Sequence, residues 1–313
     1  MDRPHADLPS AVIKALLESA RVSNLPTVWT NVLVGIAAAG SAWGGDPPVP
    51  IWPIPIALGS LSLLYIGGML LNDAADAAWD AEHGKRRPIT EGRISRRSVL
   101  VWAVSTLVIG ASIALLATAF DLTVLVTSAV LLTAIVLYNV LHKRSAWTVL
   151  FMALCRSSVY AVSAAVAFGV VDDTVDRAGT SAVMESVSPP ALAIFAYTAL
   201  LTLAARREDI AGARVGGLWA WLMPMPCIVA AIAYRPERLL WTIFAGAAFF
   251  VWTLVCARRA RDGKIPQAVS GWLAGSCLAD ATLLMLMNRL DLAAVAVGCW
   301  LLTLVGQRTI SGT

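Results

Sequence analysis

The sequence predicts an all-α, polytopic membrane protein: about nine transmembrane helices in one bundle, with a polar cap on the cytoplasmic side. Three observations carry that prediction. Of 313 residues, 58% are hydrophobic and only 14% are charged, whereas a soluble chain carries about 25% charged residues. Apolar segments of about 17–25 residues, the length that crosses about 30 Å of hydrocarbon, recur from end to end. Lys and Arg fall mainly in alternate connections between those segments, as they do when one set of loops is cytoplasmic.

Taken in order, residues 1–23 form a polar segment with an amphipathic core at Ala11–Leu17, expected to lie as a helix on the membrane surface. The apolar stretch from Asn24 lacks a small-residue cleavage site and is expected to remain as a transmembrane helix. Spans are expected at 24–42, 51–71, 98–119, 122–141, 147–170, 190–205, 216–233, 239–257 and 267–287. The run 292–306 is short for a crossing; it reads as a tilted extension of the ninth helix, a re-entrant piece or a cramped tenth span. Turns are expected at Gly44-Gly45-Asp46-Pro47-Pro48 and at Ser188-Pro189-Pro190. Residues 24–306 then make one transmembrane domain, with a tail at 307–313. Trp43, Trp52, Trp147, Trp219 and Trp241 stand at span ends, where an interfacial belt explains them.

Fifteen Lys and Arg lie in the loops 80–97, 142–144, 206–214 and 257–264, against four in the alternating connections. The first set, and the N-terminus with it, is expected on the cytoplasmic side. The five cysteines stand singly in apolar stretches without a CxxC pair, and the three histidines are scattered, so neither a disulfide framework nor a zinc site is indicated.

The chemistry gathers on that same side. Asn72-Asp73-Ala74-Ala75-Asp76-Ala77-Ala78-Trp79-Asp80 closes the uncharged span 51–71. Asn72, Asp76 and Asp80 are spaced i, i+4, i+8, which stacks three oxygen-bearing side chains on one helix face. Asp73 points about 100° away from them. Acids at a bilayer border are costly without a compensating cation, and Mg²⁺ suits an all-oxygen set. Acids alone would suggest cation transport. Here they are followed by Gly84-Lys85-Arg86-Arg87-Pro88-Ile89-Thr90-Glu91-Gly92-Arg93-Ile94-Ser95, and then by Tyr138, His142, Lys143 and Arg144, by Arg156 inside the fifth span, and by Arg206, Arg207, Glu208 and Asp209. Acids interleaved with so many cations point to a polyanion whose oxygens are shared between a metal and basic side chains, and a diphosphate fits. An acidic pair at the end of the sixth span also weakly echoes the one ending the second, as a duplicated four-helix unit would.

These residues carry a resemblance. NDAADAAWD resembles the NDxxDxxxD signature of the UbiA superfamily of intramembrane prenyltransferases, and KRRPITEGRIS resembles the loop that follows it. Arg21-Val22-Ser23-Asn24-Leu25-Pro26-Thr27-Val28-Trp29-Thr30-Asn31 is similar to that family's first-helix opening, and Tyr138 with Lys143 fits its Tyr-x-x-x-x-Lys pattern. The resemblance covers positions 21–144. Arg206-Arg207-Glu208 with Cys155-Arg156 is similar to the EboC-like branch.

The resemblance implies Mg²⁺-dependent transfer of an isoprenyl group from its diphosphate to a lipophilic or aromatic acceptor. Asn72, Asp73, Asp76 and Asp80, with Glu208 and Asp209, would serve the metal. Lys85, Arg87, Lys143, Arg144, Arg206, Arg207 and Asn31 would serve the diphosphate, and Lys143 and Arg156 catalysis. The second motif departs from the family's pair or trio of aspartates, since Ala204 and Ala205 precede Arg206 where acids are usual. Either Glu208 and Asp209 hold a second metal with water, or a guanidinium replaces part of its charge. Expected partners are the donor, the acceptor and membrane lipids, with no nucleic acid, and the expected location is a bacterial-type cell membrane. Diphosphate ionisation without an acceptor, as in terpene cyclisation, and a non-catalytic transporter or scaffold with a decayed site are the alternatives.

Overall fold

A computed structural model of the protein describes residues 8–42, 52–141, 145, 147–171, 177–207, 217–234 and 239–310. All regular structure among them is helical. The helices are α1 (Leu8–Ser19), α2 (Leu25–Ala42), α3 (Pro53–Glu82), α4 (Arg96–Ala117), α5 (Leu122–Leu141) and α6 (Thr148–Val171). They continue with α7 (Arg177–Ala205), α8 (Trp219–Leu222), α9 (Met225–Tyr234), α10 (Leu239–Arg261), α11 (Ile265–Leu286) and α12 (Leu290–Thr309). Among the described residues, eight helices are long and apolar enough to cross a membrane.

The burial pattern agrees with a bilayer environment. Val101, Val104, Val108 and Leu116 of α4 are more than half exposed, as are Leu301 and Val305 of α12. Large apolar side chains facing outward in such numbers need lipid rather than water. The protein is an integral membrane protein. At the centre stand α2 and α11, whose spans are each 83% buried, while α12 is 22% buried and lies at the rim.

Small residues let the helices approach. Gly110 of α4 sits against α3, where the Ser60 hydroxyl donates to the Gly110 carbonyl at 2.7 Å. A Cβ at Gly110 would stand 2.8 Å from the Ser60 carbonyl oxygen. Backbone cannot yield as a flexible side chain can. Gly110→Ala is therefore expected to cost about 1–3 kcal/mol by overpacking, seen as a lower thermal midpoint in detergent.

Two sequence expectations are corrected, and one left open is narrowed to its separate-span alternative. The stretch 216–233 is not one span: α8 ends before Pro224 and α9 has ten residues. Prolines at 224 and 226 remove two helical N–H donors, and ten residues reach only about 15 Å. Ser188-Pro189-Pro190 is not a turn, because α7 runs through it. Pro189 cannot donate to the Glu185 carbonyl, but the Ser188 hydroxyl does so at 3.0 Å. Such substitution by Ser is one way a membrane helix tolerates proline. Finally, residues 290–309 form a helix of their own, set off from α11 by Asn288 at φ 61°. The expected turn at 44–48 lies outside the described residues.

Candidate active site

One face of α3 organises the site. Leu61, Leu64, Gly68, Asn72, Asp76 and Asp80 follow each other at three- and four-residue steps and all line one cavity. Together they span roughly 29 Å of helix axis. The stripe is apolar at its start and acidic at its end, and so is the cavity. It holds about 350 Å³. Val28, Leu131, Ile135 and Val159 add to its apolar part; Arg21, Lys85, Arg87 and Arg206 bring cations to it.

The acids are tied into the protein. Asn72 donates through Nδ2 to Asp76 Oδ2 at 2.8 Å, and Asp80 lies 4.0 Å from the Arg87 guanidinium. Asn72 and Asp80 are buried and Asp76 is half-buried. Asp73 is buried as well but does not join the stripe, and its Oδ2 has no hydrogen-bond partner among the described residues. No group of three or more His, Cys, Asp or Glu suited to a metal occurs among the described residues. The donor set facing the cavity is two carboxylates and one amide oxygen. That is all-oxygen chemistry of the kind Mg²⁺ takes when water and phosphate complete its shell.

The basic loop is built to return the chain over this face. Gly84 ends α3 at φ 63°, a conformation favoured by glycine. Lys85 N–H donates to the Asp80 carbonyl at 2.8 Å and Gly84 N–H to that of Ala81 at 3.3 Å, the pairing of a Schellman cap. Thr90 then fastens the loop: its hydroxyl donates to the Lys85 carbonyl at 2.7 Å and accepts from Arg87 N–H at 2.9 Å. Lys85 Nζ rests 5.2 Å from the Trp79 ring centroid. Burial is the main influence lowering the Arg87 pKa, with Arg21 second, while Asp73, Asp80 and Asp76 oppose them. A guanidinium so placed still keeps its charge. Arg93 meets Glu18 of α1 at 2.5 Å, and Arg96 donates to the Ala74 carbonyl at 2.8 Å. Those two bonds hold the loop from behind.

Three predicted residues are placed differently from the expectation of a diphosphate contact or a metal. Asp73 is one. Arg207 is exposed, 5.9 Å from the Trp219 ring, and does not line the cavity. Asn31 is fully buried behind the cavity wall, both ends of its amide held within the protein. Arg206 does line the cavity, where it donates to the Ser145 carbonyl at 2.9 Å. Lys143, Arg144, Glu208 and Asp209 lie outside the described residues. Arg156 stands eight residues into α6, about 12 Å along its axis, and faces the cavity.

Two residues enter that the sequence reading left out. Arg21 precedes the 3-10 turn Val22–Asn24 in a left-handed conformation, φ 46° and ψ 47°. That backbone costs a non-glycine residue roughly 1–2 kcal/mol, and it accompanies a side chain that reaches the cavity. The other is Asp280, buried in α11. A lone acid inside an apolar span was its signal, since such residues are rarely silent.

The membrane-embedded helical bundle encloses a cavity lined by apolar side chains toward the start of the α3 stripe and by acids and cations toward its end. A model of the UbiA prenyltransferase family matches residues 31–212, and the chain belongs to that family. Among solved structures it is similar to a UbiA homologue from Aeropyrum pernix K1, at 18% identity and a TM-score of 0.56, over 85% of this chain and 97% of that one. It is also similar to a structure described as concerning a membrane digeranylgeranylglyceryl phosphate synthase, at 17% identity and a TM-score of 0.53, over 92% and 98%. At these identities the likeness shows the fold. No curated protein matches the chain.

Proposed function

We propose that the protein is a Mg²⁺-dependent prenyltransferase that moves an isoprenyl group from its diphosphate to a lipophilic or aromatic acceptor. The observation that carries this is the α3 stripe, which runs unbroken from Leu61 to Asp80 along one cavity. An apolar tail and a diphosphate head are the two halves such a surface matches. The Lys- and Arg-rich loops at the acidic end support a cytoplasmic orientation for it.

In this reading Asn72, Asp76 and Asp80 are the residues that would hold Mg²⁺. When bound, the ion acts as a Lewis acid that neutralises charge on the leaving oxygens. Lys85, Arg87 and Arg21 hold the diphosphate oxygens directly, with donors already placed where negative charge grows. Arg156 and Arg206 face the same space. The carbon–oxygen bond of the donor breaks with its electron pair leaving on the diphosphate. The allylic carbon bonds to the acceptor, which gives up a proton. Excluding water from the apolar end is the protein's part in steering that carbon to the acceptor.

The test is an assay of purified protein with isoprenyl diphosphates of graded chain length, with Mg²⁺ or a chelator, with and without lipophilic and aromatic acceptors. Diphosphate release with alkylated acceptor, abolished by the chelator, is the expected result. Release without an acceptor, giving a cyclised hydrocarbon, would instead mark a cyclase. No release from any donor overturns catalysis.

A further inference from the structure

Behind the cavity wall lies a chain of polar groups that the diphosphate site itself does not need. Asp280 is fully buried, roughly 22 Å along α11. Its Oδ2 accepts from Thr30 Oγ1 at 2.5 Å and from Asn31 Nδ2 at 2.7 Å, and its Oδ1 accepts from the Tyr160 hydroxyl. The far end of the Asn31 amide accepts from Arg156 Nη1 at 2.9 Å, and Thr27 Oγ1 accepts from Arg156 Nη2 at 2.8 Å. Asn31 thus bridges a carboxylate and a guanidinium with its two ends correctly oriented for each. Asn31, Thr27, Thr30 and Tyr160 are all fully buried.

We propose that Asp280 is a positioning residue, which through the Asn31 amide holds the Arg156 guanidinium at the cavity wall and balances its charge inside the membrane. Three helices contribute to the network. Thr27, Thr30 and Asn31 come from α2, Arg156 and Tyr160 from α6, and Asp280 from α11, while α3 forms the facing wall with Tyr65. A guanidinium left alone at this depth would be costly, and so would a carboxylate. Joined through one amide, each stabilises the other, and the carboxylate stays out of the cavity. The wall then presents positive charge alone. Among the described residues the guanidinium makes no other hydrogen bond, so its remaining N–H groups are available to an anionic oxygen in the cavity. That last role rests on the prenyl-transfer reading; the coupling between Asp280 and Arg156 does not.

Two measurements on Asp280→Asn, Arg156→Gln and the double variant test it. In thermal unfolding each single substitution leaves one charge of the bridged pair unbalanced, fully buried at Asp280 and half-buried at Arg156, and is expected to lower the midpoint by about 5 °C or more. The double variant is expected to recover most of that loss. Losses that simply add in the double variant would overturn the coupling. In the transfer assay Asp280→Asn is expected to move the same kinetic parameter as Arg156→Gln, by about tenfold or more, and the double variant to be no worse than Arg156→Gln. A structural role for Asp280 would lower only the folded fraction and leave KM and its split from kcat unchanged, which also overturns the proposal. Should Asp280→Asn fail to accumulate, Asn31→Ala cuts the bridge and carries the same kinetic expectation. Thermal coupling in a protein that releases no diphosphate would sink the prenyl-transfer reading alone.

Discussion

Asp76→Ala is expected to lower diphosphate release by about a thousandfold or more, the upper range for removing one group that stabilises developing charge. Asp76 stands in the middle of the acidic stripe. Asn72 donates to it at 2.8 Å, and Asp80 follows one turn on. Removing its carboxylate takes away one of two acidic oxygens sets facing the cavity and frees the Asn72 amide to turn. Two losses therefore coincide. The second is separable: Asp76→Asn keeps a hydrogen-bond acceptor for Asn72 but not the charge. If charge toward Mg²⁺ is what matters, Asp76→Asn will be nearly as impaired as Asp76→Ala, and excess Mg²⁺ will rescue neither fully. Activity within tenfold of wild type in both variants would remove Asp76 from the site.

Arg87→Gln is expected to lower kcat/KM about a hundredfold, with a weaker fall in Arg87→Lys. Arg87 lines the cavity 4.0 Å from Asp80, on a loop whose backbone is pinned by Thr90. Its planar fork can address two phosphate oxygens at once, which an ammonium cannot, so lysine restores charge but not geometry. Arg86 is the internal control. It is adjacent in sequence, exposed, and absent from the cavity lining. Arg86→Gln is expected to stay within about twofold of wild type, because the charge of an exposed loop residue is screened by solvent. Equal losses at both positions would mean that the loop acts through its overall charge alone.

The contrast between those two neighbours shows how much of the site can be read from the chain. Helical spacing placed Asn72, Asp76 and Asp80 on one face and turned Asp73 off it, because a helix repeats every 3.6 residues whatever surrounds it. The same local rule makes the loop legible. Gly84 allows the left-handed cap, and Thr90 is close enough in sequence to reach back to Lys85. The prolines of α7 were misleading for a related reason. Whether a proline breaks a helix depends on what satisfies the carbonyl it abandons, and Ser188 does so here. Pro224 and Pro226 do interrupt their helix.

What the sequence by itself determined is everything that depends on composition and on neighbours within a few turns: a helical membrane protein, the acidic face of α3 and the basic loop that follows. The tertiary structure alone decided which distant residues meet. Asn31 reads as a diphosphate contact in the first-helix opening, yet Asp280, 249 positions away, draws its amide behind the wall. Arg156 reads as a cation too deep to leave unpaired, and only packing names its partner. Arg21 enters the cavity through a backbone conformation that no spacing announces. Burial inside a bilayer obliges each polar group to find a partner, but it does not say which one. That choice belongs to how the helices cross.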